Sequence, residues 1–239
     1  ALAQHPRISI FPHQQAVDVL FDPEGCAAGV LTIDEKSVSL AFSAGQVSDR
    51  WFFRSPWSIK DEALWRNELS AENDRIFLKN PEYRDVVMRF DFRFEGARDI
   101  RLLTGTPGHY NAVVHIHPDH FYIQTARDQS VPYYPSIQGE CVCEFEPHKW
   151  YTMTVEIVKD EIVAHVDREH FVVGQHPILD RQRSYFAFQV DRSSASFDNV
   201  QILQAAALKD WPTRREQLKK IQSVKHGVIH DFPWQINLM

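Results

Sequence analysis

The sequence predicts an all-β protein: a two-sheet antiparallel jelly-roll sandwich with a short C-terminal helix and tail. Three observations predict it. The first is strict alternation of apolar and polar residues. Tyr151, Met153, Val155 and Ile157 share one face, as do Ile162, Ala164 and Val166, and then Phe186, Phe188 and Val190. Period two with Val, Ile, Phe, Tyr and Thr marks half-buried antiparallel strands. The second is the shortness of the breaks: Lys159-Asp160 separates two such runs and implies a hairpin. The third is the change of period after Leu208. Trp211-Pro212 opens Thr213 to Gln222, where Leu218 and Ile221 lie three apart on one face. The organisation expected is an N-terminal extension over 1–16, a sandwich over 17–204, and a helix and tail over 205–239 packed on the sandwich.

Taken in order, Val17 to Phe21, Gly29 to Ile33 and Val38 to Phe42 are short strand-like runs, and the N-terminal strand is expected to pair near the C-terminal one. Trp51, Trp57 and Trp65 follow, either plugging the end of the core or forming a sugar-stacking platform. Asp74 to Leu78 is a short strand. Val86, Met88, Phe90, Phe92 and Phe94 then alternate with Arg89, Asp91, Arg93 and Glu95, so one face is apolar and the other charged. Ile100 to Thr104 is the next strand. Asn111 to His117 and His120 to Thr125, joined by Pro118-Asp119, form a second hairpin. Arg127 to Pro147 reads as one long connection, a length more often ligand-facing than slack. Gln175 to Arg183 is another connection. The last alternation, Phe197 to Ile202, is interrupted at Asp198-Asn199, residue types that cap bulges.

Composition narrows the function classes. Of 239 residues, 44% are hydrophobic and 16 are Phe, enough for a sizeable core. The formal net charge of -6 disfavours a nucleic-acid partner, since there is no basic domain to neutralise phosphates. No apolar run reaches the roughly 18 residues of a membrane span. Ala1-Leu2-Ala3-Gln4 is either the trace of a signal-cleavage site or a cloning remnant, and the expectation is a secreted or periplasmic protein. Cys26, Cys141 and Cys143 cannot all pair; free buried thiols, a bridge from Cys26, or a Cys-x-Cys metal site are the readings open.

The densest polar constellation is Arg101, Asn111, His115, His117, His120, Tyr122, Gln124 and Arg127. Alternation places Asn111, His115 and His117 on one strand face, and Tyr122 and Gln124 on the matching face of the hairpin partner. Polar groups with Tyr suit recognition of sugar hydroxyls; a solvated sheet face is the plain alternative. Asn111, Tyr122, Gln124 and Arg127, with Tyr133 and Tyr134 at the rim of the long connection, are the expected substrate-binding residues. His115 and His117 are acid–base candidates and Arg101 an oxyanion partner. His115-x-His117 also has metal-ligand spacing, a weak signal by itself. No E-x-D-x-x-E run is present, which counts against retaining hydrolysis by paired carboxylates.

The pieces Trp150-Tyr151-Thr152-Met153-Thr154-Val155-Glu156, Asp160 to Asp167 and Ser196-Phe197-Asp198-Asn199-Val200 resemble the laminin-G-like, concanavalin-type jelly roll. Within it they are most similar to the bacterial 3-keto-disaccharide hydrolase family. Trp57 to Leu64 is similar to that family's W-x-V-x-D-G-x-L opening hairpin, with Glu62 in place of Gly. The resemblance spans about Val47 to Gln204. It implies a saccharide ligand on a concave sheet face. It also implies elimination, hydration or hydrolysis of a (keto-)glycoside, in which a 3-keto group acidifies the neighbouring C–H. The alternatives are a non-catalytic glycan-binding module and a structural or assembly domain. In the latter the basic helix makes a homo-oligomer contact. No cofactor is expected, with calcium near Asp198-Asn199 or zinc at the histidines as minor alternatives.

Overall fold

The computed structural model describes residues 15–21, 27–33, 38–40, 51–52, 57–66, 75–78, 82–106, 109–125, 136–167, 169–191, 193–205 and 211–225. The first strands are β1 (Gln15–Phe21), β2 (Ala27–Ile33), β3 (Val38–Leu40), β4 (Trp51–Phe52), β5 (Trp57–Lys60), β6 (Ala63–Arg66) and β7 (Arg75–Leu78). Next come β8 (Val86–Glu95), β9 (Asp99–Thr106), β10 (His109–Ile116), β11 (His120–Thr125) and β12 (Ser136–Val142). The series closes with β13 (Tyr151–Val158), β14 (Glu161–His165), β15 (Phe171–Gln175), β16 (Tyr185–Asp191), β17 (Ser194–Gln204) and the helix α1 (Trp211–Lys225).

The strands form two large antiparallel sheets. One runs β12-β11-β10-β9-β16-β7-β4; the other runs β15-β14-β13-β8-β17-β6-β5, with β3 also pairing β17. The alternation seen in the sequence is the reason. Met88, Phe90, Phe92, Met153, Val155, Phe197 and Ile202 on one sheet face Ile100, Leu102, Val114, Ile116, Phe121, Phe186 and Phe188 on the other, all buried in one cluster. Phe188 stacks on Phe197 at 4.4 Å between ring centroids and meets Phe90 edge-on at 4.9 Å, so both sheets share this aromatic centre. Trp51 and Trp57 are buried in the same core, which settles them as core plugs. The half-buried Trp65 donates its Nε1–H to Glu95 at 3.1 Å.

The predicted hairpins β5–β6, β10–β11 and β13–β14 are present. Asp61 and Glu62 both adopt positive φ (52° and 62°), as a tight two-residue hairpin turn requires. Asn199 (φ 48°) sits where the β17–β8 register shifts between Asp198 and Gln201, so the interruption is a bulge.

The structure corrects three expectations. β1 and β2 pair with each other in a separate two-stranded sheet; the large sheets take their first strand from β3, which pairs with β17 near the C-terminal end. Residues 136–142 are not loop: β12 pairs with β11 and extends the first sheet, so Glu140 stands opposite Tyr122. Residues 171–175, which no alternation marked, form β15. Cys141 and Cys143 are both buried thiols outside any disulfide, and Cys26 lies outside the described residues.

The helix lies on the sandwich. Trp211 and Leu218 pack on Val163, Phe171 and Val173, Trp211 and Arg215 both reach Glu161, and Gln222 accepts from the backbone N–H of Val173. Here the two sheets also meet, because Gly174 lies too close to Gln138 to carry a side chain and the Gln175 N–H donates to Gln138. No helix among the described residues is long and apolar enough to cross a membrane.

Candidate functional site

The outward face of the first sheet carries Arg101, His115, His117, Tyr122 and Gln124 of the polar residues that the sequence singled out. Cross-strand register aligns them in one row. His115 lies opposite Tyr122 on one side and Arg101 on the other; Tyr122 lies opposite Glu140, Arg101 opposite Gln189, and Gln189 opposite Arg75. The row Glu140–Tyr122–His115–Arg101–Gln189–Arg75 therefore crosses six adjacent strands. It exists because the inward residues Val114, Phe121, Leu102 and Phe188 are apolar and their neighbours must point out.

Beside this row, at the β9–β10 end of the face, stands Asp99, which alternation from Ile100 onward left out. It is 5% exposed. Its Oδ2 accepts from Arg101 Nε at 2.5 Å and lies 3.3 Å from His115 Nδ1. Its Oδ1 is 3.8 Å from His117 Nε2. Burial disfavours the Asp99 charge, but His115, Arg101 and His117 outweigh that and hold its carboxyl below the ordinary range. His115 Nε2 is 2.9 Å from Gln124 Oε1, and His117 Nδ1 is 3.0 Å from the Arg98 carbonyl. A carbonyl oxygen only accepts, so His117 carries a proton on Nδ1 and, when neutral, has its lone pair at Nε2. Burial pushes the His117 imidazole down, against the pull of Asp99. The Tyr122 hydroxyl is pushed up to about 12, by burial first and by Asp99 second. The rings of His115 and Tyr122 stack at 4.5 Å, and those of His117 and His120 at 4.3 Å. His120 in turn touches Asp119 at 2.7 Å.

On the far flank of the row an aromatic band crosses the same face. Phe52 stacks on Phe77 (4.8 Å), Phe77 on Tyr185 (5.8 Å), and Tyr185 approaches Tyr110 (5.8 Å). Arg75 lies over the Tyr110 ring at 5.0 Å and bonds both its hydroxyl and Gln189. The band is set by a bulge. Gly105 (φ 151°) opposes Tyr110, and a side chain at Gly105 would strike the backbone of His109, Tyr110 and Asn111.

Of the expected site residues, the structure brings together Arg101, His115, His117, Tyr122 and Gln124. Asn111 is not an accessible contact: it is 4% exposed, in the Gly105 bulge. Arg127, Tyr133 and Tyr134 lie outside the described residues. Sequence reasoning missed Asp99, Glu140, Gln189, Arg75 and the aromatic band. Extending the β9 alternation back by one residue finds Asp99; the others needed the register.

No protein-family model and no curated protein matches the chain. Solved structures do. A laminarinase from Flavobacterium sp. UMI-01 aligns over 70% of this chain and 99% of its own, with TM-score 0.55 and 9% identity. A β-glucanase from Bacillus licheniformis aligns over 71% and 98%, with TM-score 0.53 and 10% identity. The carbohydrate-binding module CBM66 from Bacillus subtilis aligns over 64% and 94%, with TM-score 0.52 and 14% identity. The fold is a jelly-roll sandwich. At these identities the likeness carries the fold alone, and none of these comparisons shows the 3-keto-disaccharide hydrolase family.

Proposed function

We propose that the outward face of the β12–β4 sheet binds a saccharide and that the protein acts on a (keto-)glycoside there. The observation that supports this best is the polar row Glu140–Tyr122–His115–Arg101–Gln189–Arg75, in which the buried Gln189 holds Arg75 in place rather than meeting the ligand, with the aromatic band Phe77–Tyr185–Tyr110 alongside. A sugar offers hydroxyls on its edge and C–H groups on its face. A row of fixed donors and acceptors next to flat rings complements both. The named activities of the laminarinase and the β-glucanase, and the name of the binding module, agree with a carbohydrate ligand.

In the catalytic form of this reading the chemistry is elimination, hydration or hydrolysis. Elimination removes the proton beside the ketone and expels the glycosidic oxygen, which takes a proton back; no oxidant is needed. His115 or His117 is the acceptor for the first transfer; His117 Nε2 is buried against Asp99 and takes part only after its ring turns outward, while Arg101, whose side chain is 28% exposed, is placed to steady the developing oxyanion. Arg127, Tyr133 and Tyr134 belong to the proposal as rim residues. A non-catalytic binding module would use the same face without turnover.

The test is a titration of neutral oligosaccharides and 3-keto-glycosides against the protein, with products followed by NMR. The expected result is binding that Tyr122→Ala and Arg101→Ala weaken at least tenfold. Binding without turnover selects the module. No binding to any glycan, or binding indifferent to both substitutions, overturns the site.

A further inference from the structure

We propose that Asp99, His115 and His117 form a binding site for a divalent first-row transition cation of the zinc class. The three residues offer one ligand atom each, all within 4.8 Å of one another. His117 Nδ1–H is committed to the Arg98 carbonyl, so in the neutral ring Nε2 has only a lone pair to offer. That nitrogen is buried and has no hydrogen-bond partner. Asp99 Oδ1, an acceptor only, is likewise buried and without a hydrogen-bond partner. The two atoms face each other at 3.8 Å. Two buried acceptors turned towards one another repel; a cation between them converts the repulsion into two bonds.

His115 repeats the arrangement. Its Nε2 stands 2.9 Å from Gln124 Oε1 and its Nδ1 3.3 Å from Asp99 Oδ2; in the tautomer that donates Nε2–H to Gln124 the Nδ1 lone pair is free for the ion, and in the other the ion takes the place of the proton shared with Asp99. Both imidazoles thus give their second nitrogen to a carbonyl oxygen, which is how metal-bound histidines are held and oriented. The Arg101 guanidinium occupies Asp99 Oδ2, so the carboxylate has Oδ1 left for the ion. The His115 and His117 rings lie at 5° to one another. Convergence on one ion takes a rotation about χ2, a torsion with a broad range in histidine. Two imidazoles and one carboxylate suit zinc, cobalt or iron and leave coordination positions free; calcium prefers oxygen ligands throughout. His120 and Glu140 stand nearby, His120 Nε2 being 3.9 Å from Glu140 and its other nitrogen held by Asp119.

The proposal shares residues with the proposed function but does not depend on a sugar. With the ion bound, His117 is a ligand rather than a proton acceptor. The experiment therefore uses metal alone. The metal-free chain is titrated with Zn²⁺ and Co²⁺ by calorimetry, with Ca²⁺ as the negative arm. The expected result is one Zn²⁺ or Co²⁺ per site, lost or weakened at least 100-fold by His117→Ala and by Asp99→Asn. Gln124→Ala, which frees the second nitrogen of His115, weakens it about 10- to 100-fold. His170→Ala removes a separate surface histidine paired with Asp167 and leaves the affinity unchanged. Imidazole ¹⁵N shifts of the wild-type chain on adding Zn²⁺ identify the ligand nitrogens even where a variant folds poorly; His117 Nε2 and His115 Nδ1 are expected to move. The proposal fails if neither metal binds at millimolar concentration, if the shifts fall on other histidines, or if binding survives both His117→Ala and Asp99→Asn.

Discussion

The side-chain oxygen of Gln222 accepts a hydrogen bond from the backbone N–H of Val173 at 2.7 Å. A helix residue thereby satisfies an outward-pointing group of the edge strand β15. Such edges invite pairing with other chains when bare. Gln222→Ala removes the cover at that amide. Its hydrogen-exchange rate should rise about fivefold to tenfold, the kinetic reading of roughly 1–1.4 kcal/mol, as measured by NMR. An unchanged rate would show that the helix does not protect the edge.

Gly105 and Glu62 should respond in opposite directions to substitution. At Gly105, φ is 151° and a side chain would meet the backbone of the facing bulge at 2.5 Å. Gly105→Ala is expected to cost about 2–4 kcal/mol in urea unfolding. Glu62 holds φ at 62° on an exposed turn without the freedom of glycine. Glu62→Gly should stabilise by about 1 kcal/mol. A loss of stability there would mean that the Glu62 side chain makes a compensating contact.

Glu95 predicts part of the acid sensitivity. Burial opposes its charge, but hydrogen bonds from Ser196, Arg93 and Trp65 prevail and hold its carboxyl below the ordinary range. A depressed pKa contributes stability above the unfolded value, and that contribution is lost as the pH falls through the folded one. Between about pH 5 and pH 3 the wild type should therefore lose more stability than Glu95→Gln. Parallel curves for the two proteins would remove Glu95 from the account.

Cys141 and Cys143 are buried, and burial raises the Cys143 thiol to about 11. The thiolate is the reactive form, so alkylation at about pH 8 should spare both cysteines until the protein is unfolded. Peptide mass spectrometry reads each site separately. Rapid native labelling of Cys143 would contradict its burial.

Most of the sandwich was legible because its central strands have one apolar face. Met88, Phe90 and Phe92, or Phe186, Phe188 and Val190, announce themselves by period two. The edges were not. Ser136 to Val142 and Phe171 to Gln175 contain Gly139 and Gly174, which interrupt the apolar pattern. Those glycines are there for a tertiary reason. A side chain on Gly174 would strike Gln138, and one on Gly139 would strike Val172 and Gln222. The close approach that shuts the sandwich is what erased the strand signal. At the site, His115, Tyr122 and Gln124 were readable as one face of a hairpin. Asp99 was not, because its importance lies in standing beside His115 and His117, a proximity created by register.

The pairing of β16 and β17 also bears on synthesis. β16 fills the gap between β9 and β7, and β17 lies between β8 and β6. Both interior strands are translated after every other described strand, while β7, β8 and β9 emerge about a hundred residues earlier. The first sheet cannot be completed until Asp191 has been translated, nor the second until Gln204. During that interval Phe90, Phe92 and Leu102 have no final partners, and the open sides of β8 and β9 stay available to other nascent chains. The fold thus imposes a waiting period on its own production, and slowing elongation before residue 185 should lower soluble yield unless a chaperone holds the chain.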